Sequence, residues 1–245
     1  MINALVCPNC GASLPPPAAN SEMMTCQYCN TTFQIPRTLT PEPSIGNLIL
    51  GADFRQQPIA GWNFPNKDNI RLINGNPPEL RAKFSASSEL YYVLNSSGYF
   101  DDVDASVSIK FYEGNLDYID AGLILRYRKG IGSYCVLISP LSTYTVAYYE
   151  KGEKDELVWR TIMNWTKHSA IRPGLNQINR LRFIASGDHL HVYLNGVLAT
   201  SLHDNRYDEG EVLLATEGTK NSSVEVGFYD LQLREVKAGN SASQA

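Results

Sequence analysis

No apolar run in the 245-residue chain approaches the length that crosses a bilayer, and the amino terminus has neither the basic stretch nor the apolar core of an export signal. The expectation is a cytoplasmic protein that does not insert into a membrane. Positive charge is scarce at the start. Residues 1–37 hold one cation, Arg37, offset by Glu22, so this segment cannot neutralise a phosphate backbone and nucleic acid is excluded as its partner. Amphipathic-helix periodicity is missing throughout. No Gly-x-Ser-x-Gly elbow, phosphate loop or dinucleotide fingerprint occurs, which removes the chemistries those motifs support. The net charge of -4, carried by the residues after 37, is too small to steer a strongly basic partner.

Cysteine is sparse, five residues in all, yet four of them stand as Cys7-Pro8-Asn9-Cys10 and Cys26-Gln27-Tyr28-Cys29. Two such knuckles supply four thiolates for the closed tetrahedral shell of one structural Zn2+, leaving no position for water or substrate. A redox dithiol or a disulfide pair is the alternative, and the spacing suits these less. The residue after each second cysteine must turn left-handed if the loop amides are to aim at sulfur; Gly11 and Asn30, which tolerate this, occupy those places. The Cys-Pro-x-Cys-Gly half resembles the knuckle of zinc-ribbon proteins, and residues 1–36 resemble a rubredoxin-type zinc ribbon with Asn30 replacing the second glycine. So short a segment cannot bury enough apolar surface to fold without its metal. Ile2, Leu5, Val6, Met23, Met24, Phe33 and Ile35 exceed what its small core can hide, which points to contact with the rest of the chain or with a protein partner. The fifth cysteine, Cys135, lies in an apolar run and reads as a small buried hydrophobe.

Pro36, Pro41 and Pro43 mark residues 37–47 as a semi-rigid linker. From Leu48 the apolar period is two. Val103, Ala105, Val107, Ile109 and Phe111 alternate with Asp104, Ser106, Ser108 and Lys110, and further alternating or apolar runs occupy 119–127, 133–138, 143–149, 178–185, 188–194, 211–215 and 224–235. Asn195-Gly196, between two such runs, predicts a two-residue hairpin because both residues tolerate positive φ. Roughly a dozen antiparallel strands can bury their apolar faces only as a two-sheet sandwich or a barrel.

In order, Ala121-Gly122-Leu123-Ile124-Leu125-Arg126-Tyr127, the Tyr134 strand, Trp159, Asn179-Arg180-Leu181-Arg182-Phe183, His191-Val192-Tyr193-Leu194-Asn195-Gly196 and Val226-Gly227-Phe228-Tyr229-Asp230-Leu231 resemble the concanavalin A-like jelly rolls. Laminin G-like modules and the 3-keto-disaccharide hydrolase-like domain are the most similar in pattern. The shared motifs are structural, so they specify fold better than function. Taken together, the motifs, composition and periodicity give an all-β chain: a small zinc ribbon over 1–36, the linker, an antiparallel two-sheet β-sandwich over 48–236, and a disordered tail over 237–245. The jelly-roll resemblance, which covers 48–236, also implies a sheet face or rim able to bind sugar or protein.

Alternation places Leu190, Val192 and Leu194 in the core with His189, His191 and Tyr193 outward, and likewise directs Arg180, Arg182 and Arg126 outward. Arg126, Arg182, His191 and Tyr193 form the candidate ligand-binding strip, with Trp159 or Trp165 as stacking partners; an ordinary solvated sheet face would give the same pattern. His189 and His191 are a candidate metal pair that lacks an evident third ligand. Asp101, Asp102 and Asp104, or Asp117 and Asp120, are either weak Ca2+ candidates, as in some laminin G-like modules, or solvated turns. Glucanases of this fold carry Glu-x-Asp-x-x-Glu on one strand, whereas the most similar string here, Glu153-Lys154-Asp155-Glu156-Leu157-Val158, ends in valine. No catalytic residue is named. The chain reads as a non-catalytic binding or assembly module with one structural Zn2+, engaging a protein partner. A carbohydrate-binding module is the first alternative, and a glycoside hydrolase acting on a modified disaccharide the second.

Overall fold

A computed structural model describes residues 7, 9–12, 14, 23–34, 43–55, 58–65, 67–85, 87–152, 157–220 and 222–237. The strands among them are β1 (Met23–Thr25), β2 (Thr32–Gln34), β3 (Ser44–Ala52), β4 (Trp62–Asn63), β5 (Ile70–Ile73), β6 (Glu79–Phe84), β7 (Ser87–Ser96), β8 (Val103–Gly114) and β9 (Ile119–Arg128). They continue with β10 (Gly132–Ser139), β11 (Thr143–Lys151), β12 (Leu157–Lys167), β13 (Ile178–Ser186), β14 (His189–Leu194), β15 (Val197–His203), β16 (Glu211–Gly218) and β17 (Val224–Lys237). Among the described residues no helix is long and apolar enough to cross a membrane.

β1 and β2 pair as a small hairpin in the cysteine segment. The other strands build two antiparallel sheets, a seven-stranded one in the order β12-β11-β10-β9-β16-β7-β4 and an eight-stranded one in the order β15-β14-β13-β8-β17-β6-β5, with β3 added alongside β17. Neighbours distant in sequence, such as β8 with β17 and β9 with β16, show the chain crossing repeatedly between sheets, as a jelly-roll sandwich requires. The alternation along β8 is realised as expected: Val103, Ala105, Val107, Ile109 and Phe111 are buried in a core shared with Leu123, Leu125, Val136, Ile138 and Val146 of the facing sheet. Each of the Val, Leu, Ile and Phe side chains among these contributes about 1.5–3 kcal/mol relative to exposure.

One turn and one bulge follow from local chemistry. Asn195 and Gly196 join β14 to β15 with φ of 50° and 84°, and the Asn195 side chain ties the turn down by donating to Ala170 O at 2.6 Å and accepting from the Arg180 amide at 2.7 Å. In β17 the register shifts between Tyr229 and Gln232, where Asp230 takes φ of 48°. Before this bulge β17 pairs with β6, and after it with β3. β3 therefore caps an edge that would otherwise leave backbone donors and acceptors unpaired. One consequence corrects the sequence reading: residues 44–47, assigned to the linker, belong to β3. Lys237 likewise ends β17 rather than starting a tail, and residues 238–245 lie outside the described residues. So do Ile2, Leu5, Val6 and Ile35, the side chains of Met23 and Phe33, and the Glu153–Glu156 string.

Candidate functional site

The cysteine segment is organised by its two left-handed residues, Gly11 at φ 72° and Asn30 at φ 56°. Each knuckle closes the same way: the Gly11 amide donates to Cys7 O and the Asn30 amide to Cys26 O, both at 2.9 Å, while Cys7 and Cys26 donate to Ala12 O and Thr31 O at 2.8 and 2.9 Å. The Tyr28 amide points at Cys26 Sγ, 3.4 Å away. Sγ atoms of Cys7 and Cys29 are 3.6 Å apart and those of Cys10 and Cys26 3.7 Å, with all four donors within 4.8 Å of one another. Metal–sulfur bonds of about 2.3 Å in a tetrahedron set sulfurs about 3.8 Å apart, so the four can hold one metal ion in a closed shell. The protons are shared unequally. The Thr31 hydroxyl and amide draw the Cys29 thiol down to about 6. At Cys10 the Ala12 amide favours thiolate, but desolvation and the three other sulfurs outweigh it and push the thiol up to about 12. A dication supplies the charge that lets all four ionise together.

The strip inferred from alternation is not assembled. Arg182, His191 and Tyr193 do share the outer face of the eight-stranded sheet, with Arg182 opposite Tyr193 in register. His191 and Tyr193 are buried there, at 2% and 7% exposure. Arg182 lies over the Tyr193 ring, 4.9 Å from its centroid, and pairs with Asp104 at 2.8 Å. Arg180 bridges Ser106 and Asp230 at 2.8 and 2.7 Å, and Arg81 clamps Glu79 at 2.6 Å. Long cations thus cover this face and satisfy its carboxylates. Arg126 is on the other sheet and does not point outward. Two residues of β9, Arg126 and Tyr127, oppose the single Ser133 of β10. Arg126 takes φ of 55° at this bulge, which breaks the alternation and turns its side chain into the structure. There it donates to the carbonyls of Asp101, Gly187 and Tyr207 at 3.0, 2.9 and 2.8 Å and to Asp102 Oδ1 at 3.2 Å, while burial lowers its affinity for a proton. It is a structural clamp.

Of the Ca2+ candidates, Asp102 and Asp104 have their carboxylates spent elsewhere. Asp102 takes Arg126 and the Gly187 amide, and Asp104 takes Arg182. Asp117 shares a turn with Asn115. His191 is buried, so the His189–His191 pair is not an open metal site. Among the described residues, the groups of three or more metal-binding side chains that converge are the four cysteines and Asp188, His189 and His203.

The outer face of the seven-stranded sheet is different. Ile124, Cys135, Leu137, Leu213 and Ala215 form a second apolar cluster on it, covered by Tyr92, Tyr127, Tyr149 and Trp159. Cys135 is a buried hydrophobe there, its thiol pushed well up by burial. Tyr92 meets Tyr127 edge-on at 5.3 Å and Tyr149 meets Trp159 at 5.2 Å between ring centroids. Beside this aromatic layer runs a groove of about 610 Å3, lined among others by Tyr92, Tyr149, Trp159, Trp165, Asp120 and Glu217. Trp165 is 45% exposed, so a flat indole stands at the groove ready for contact. Asp120 and Glu217 are directly opposite each other on β9 and β16. Asp120 is 6% exposed, and its Oδ1 has no hydrogen-bond partner. Burial, and then the Glu217 charge, hold the Asp120 carboxyl well above the usual carboxylate range; burial also raises Glu217. Asp120 therefore holds its proton more tightly than an ordinary carboxyl and can donate it to a hydrogen bond, beside a carboxyl that can accept. The sequence offers Asp120 as a weak Ca2+ candidate or part of a solvated turn and does not single out Glu217. The available signal was an acid set within an otherwise apolar run in each of two strands, Ile119-Asp120-Ala121 and Val212-Leu213-Leu214-Ala215-Thr216-Glu217.

No protein-family model matches the chain, and no curated protein matches it in sequence. Solved structures do. The carbohydrate-binding module CBM66 from Bacillus subtilis aligns with a TM-score of 0.51 at 18% identity, covering 71% of this chain and 96% of that one. An endo-β-1,3-glucanase from Pyrococcus furiosus aligns with a TM-score of 0.57 at 11% identity over 89% and 100% of the two chains. A β-glucanase from Bacillus licheniformis gives 0.54 at 11% identity over 76% and 97%. At these identities the likeness establishes the jelly-roll sandwich and leaves activity to the site itself.

Proposed function

We propose that the sandwich is a saccharide-binding domain whose ligand lies in the groove on the outer face of the seven-stranded sheet. The observation that carries this reading is Asp120: a buried carboxyl with a raised proton affinity and an unpartnered oxygen, lining a groove walled by tryptophan and tyrosine. An unsatisfied buried oxygen costs about 1–3 kcal/mol, which a ligand hydroxyl would relieve. Glu217, opposite, accepts a second hydroxyl, and the indole and phenol faces suit the apolar face of a sugar ring. The choice of sheet follows from the contrast between the two outer faces, since the carboxylates of the other are occupied by their own arginines. The reading accords with the carbohydrate binding and β-glucan hydrolysis named for the structurally similar proteins. In this scheme the cysteine segment holds a structural Zn2+. Its docking to a protein partner, like a cytoplasmic location, rests on sequence alone.

Isothermal titration of the full chain against a panel of soluble polysaccharides tests the proposal. Binding should appear for at least one glycan, weaken at least about tenfold in Trp165→Ala, as loss of a stacking ring implies, and persist in Arg182→Ala. Absence of binding across the panel, or binding indifferent to Trp165, would overturn it. A second reading, hydrolysis, is favoured by the opposed acid pair, since two carboxyls in unlike environments can act as acid and base across one glycosidic bond. Release of reducing ends by the wild type and its loss in Glu217→Gln would establish it.

A further inference from the structure

We propose a second metal site, for a borderline divalent ion such as Zn2+, formed by Asp188, His189 and His203 at one end of the eight-stranded sheet. Their donor atoms lie within 4.8 Å of one another. His189 and His203 are directly opposite in the β14–β15 register, with ring centroids 3.9 Å apart. Between them Asp188 directs Oδ1 to His189 Nδ1 at 2.8 Å and Oδ2 toward His203 Nδ1 at 3.7 Å. One carboxylate thus faces the same nitrogen of two imidazoles.

The frame behind these side chains is fixed. Asp188 sits in the β13–β14 turn, where the Gly187 amide donates to Asp102 Oδ1 at 2.7 Å and Gly187 O accepts from the buried Arg126 at 2.9 Å. The Asp204 amide donates to Asp188 O at 2.8 Å, tying the turn to the residue after His203. His191 stacks behind His189 at 6.1 Å. The ligand side chains stay accessible, His203 at 59% and Asp188 at 55%, so water can complete a coordination shell. Two imidazoles and one carboxylate suit Zn2+ or a similar ion, whereas Ca2+ and Mg2+ take shells of oxygen. The site is on the opposite sheet from the groove, so either can fail without the other.

The test uses the full chain with its cysteine centre preloaded and excess metal removed. Titration with Zn2+ should show one further equivalent by calorimetry and elemental analysis. Its affinity should fall at least about tenfold in His203→Ala and in Asp188→Asn. Co2+ separates the sites spectroscopically: an added equivalent bound by nitrogen and oxygen contributes no thiolate charge-transfer band. Absence of a second equivalent, a variant that titrates like the wild type, or a second equivalent that adds thiolate absorption would overturn the assignment.

Discussion

Replacing Asp120 with asparagine isolates the energetic signature of the groove. In the folded chain burial, and then the charge of Glu217, hold Asp120 well above its ordinary value of 3.8. The unfolded chain releases this proton above that pH while the folded chain keeps it, so folding takes up a proton across the interval between the two values. Asp120 therefore leaves stability intact below 3.8 and reduces it as pH rises toward the folded value, by about 1.4 kcal/mol per pH unit. Asparagine has no proton to gain. The stability of Asp120→Asn minus that of the wild type should climb with pH at about 1.4 kcal/mol per unit from about pH 4.5 upward, until the folded carboxyl itself ionises. The offset between the proteins is less informative, because the amide introduces donors that are themselves unsatisfied at roughly 1–3 kcal/mol. Urea unfolding of both metal-loaded chains at intervals between about pH 4.5 and 7 measures the slope. A stability difference flat in pH would refute a neutral buried acid at Asp120, and with it the hydrogen-bond donor that the saccharide reading assigns.

Arg126→Met should destabilise the sandwich by about 3–5 kcal/mol in chemical denaturation, since it strands the carbonyls of Asp101, Gly187 and Tyr207 and leaves Asp102 without its cation. A loss below about 1 kcal/mol would contradict its role as a clamp. Glu79 accepts from Arg81, Tyr229 and Tyr112 at 2.6, 2.7 and 2.9 Å. Burial alone would raise its carboxyl, but these donors outweigh burial and hold it below its ordinary 4.5. Its contribution is present above pH 4.5 and lost as pH falls through the folded value, so Glu79→Gln should cost about 3 kcal/mol near neutrality and progressively less in acid. A penalty constant with pH in urea titrations would show that the charge on Glu79 is not what matters.

The sequence by itself determined whatever depends on neighbours along the chain. Two Cys-x-x-Cys knuckles with Gly11 and Asn30 behind them specify a four-sulfur centre, because every ligand is oriented by a turn of a few residues. The period of two along β8 and the Asn195-Gly196 hairpin specify an antiparallel sandwich, because strand faces and tight turns are set by adjacent φ and ψ. Alternation also places Leu190, Val192 and Leu194 correctly in the core. It could not tell what lies over the other face. That depends on sheet order and register: Arg182 is drawn onto Tyr193 and Asp104, and the bulge opposite Ser133 turns Arg126 inward against the pattern. The groove and the histidine site belong wholly to tertiary structure, since pairing β9 with β16 sets Asp120 against Glu217, and pairing β14 with β15 brings His203 to His189 and Asp188. Where the ladder is regular a strand's own residues decide which way its side chains point; the strands beside it decide where a bulge reverses that direction and what each side chain meets.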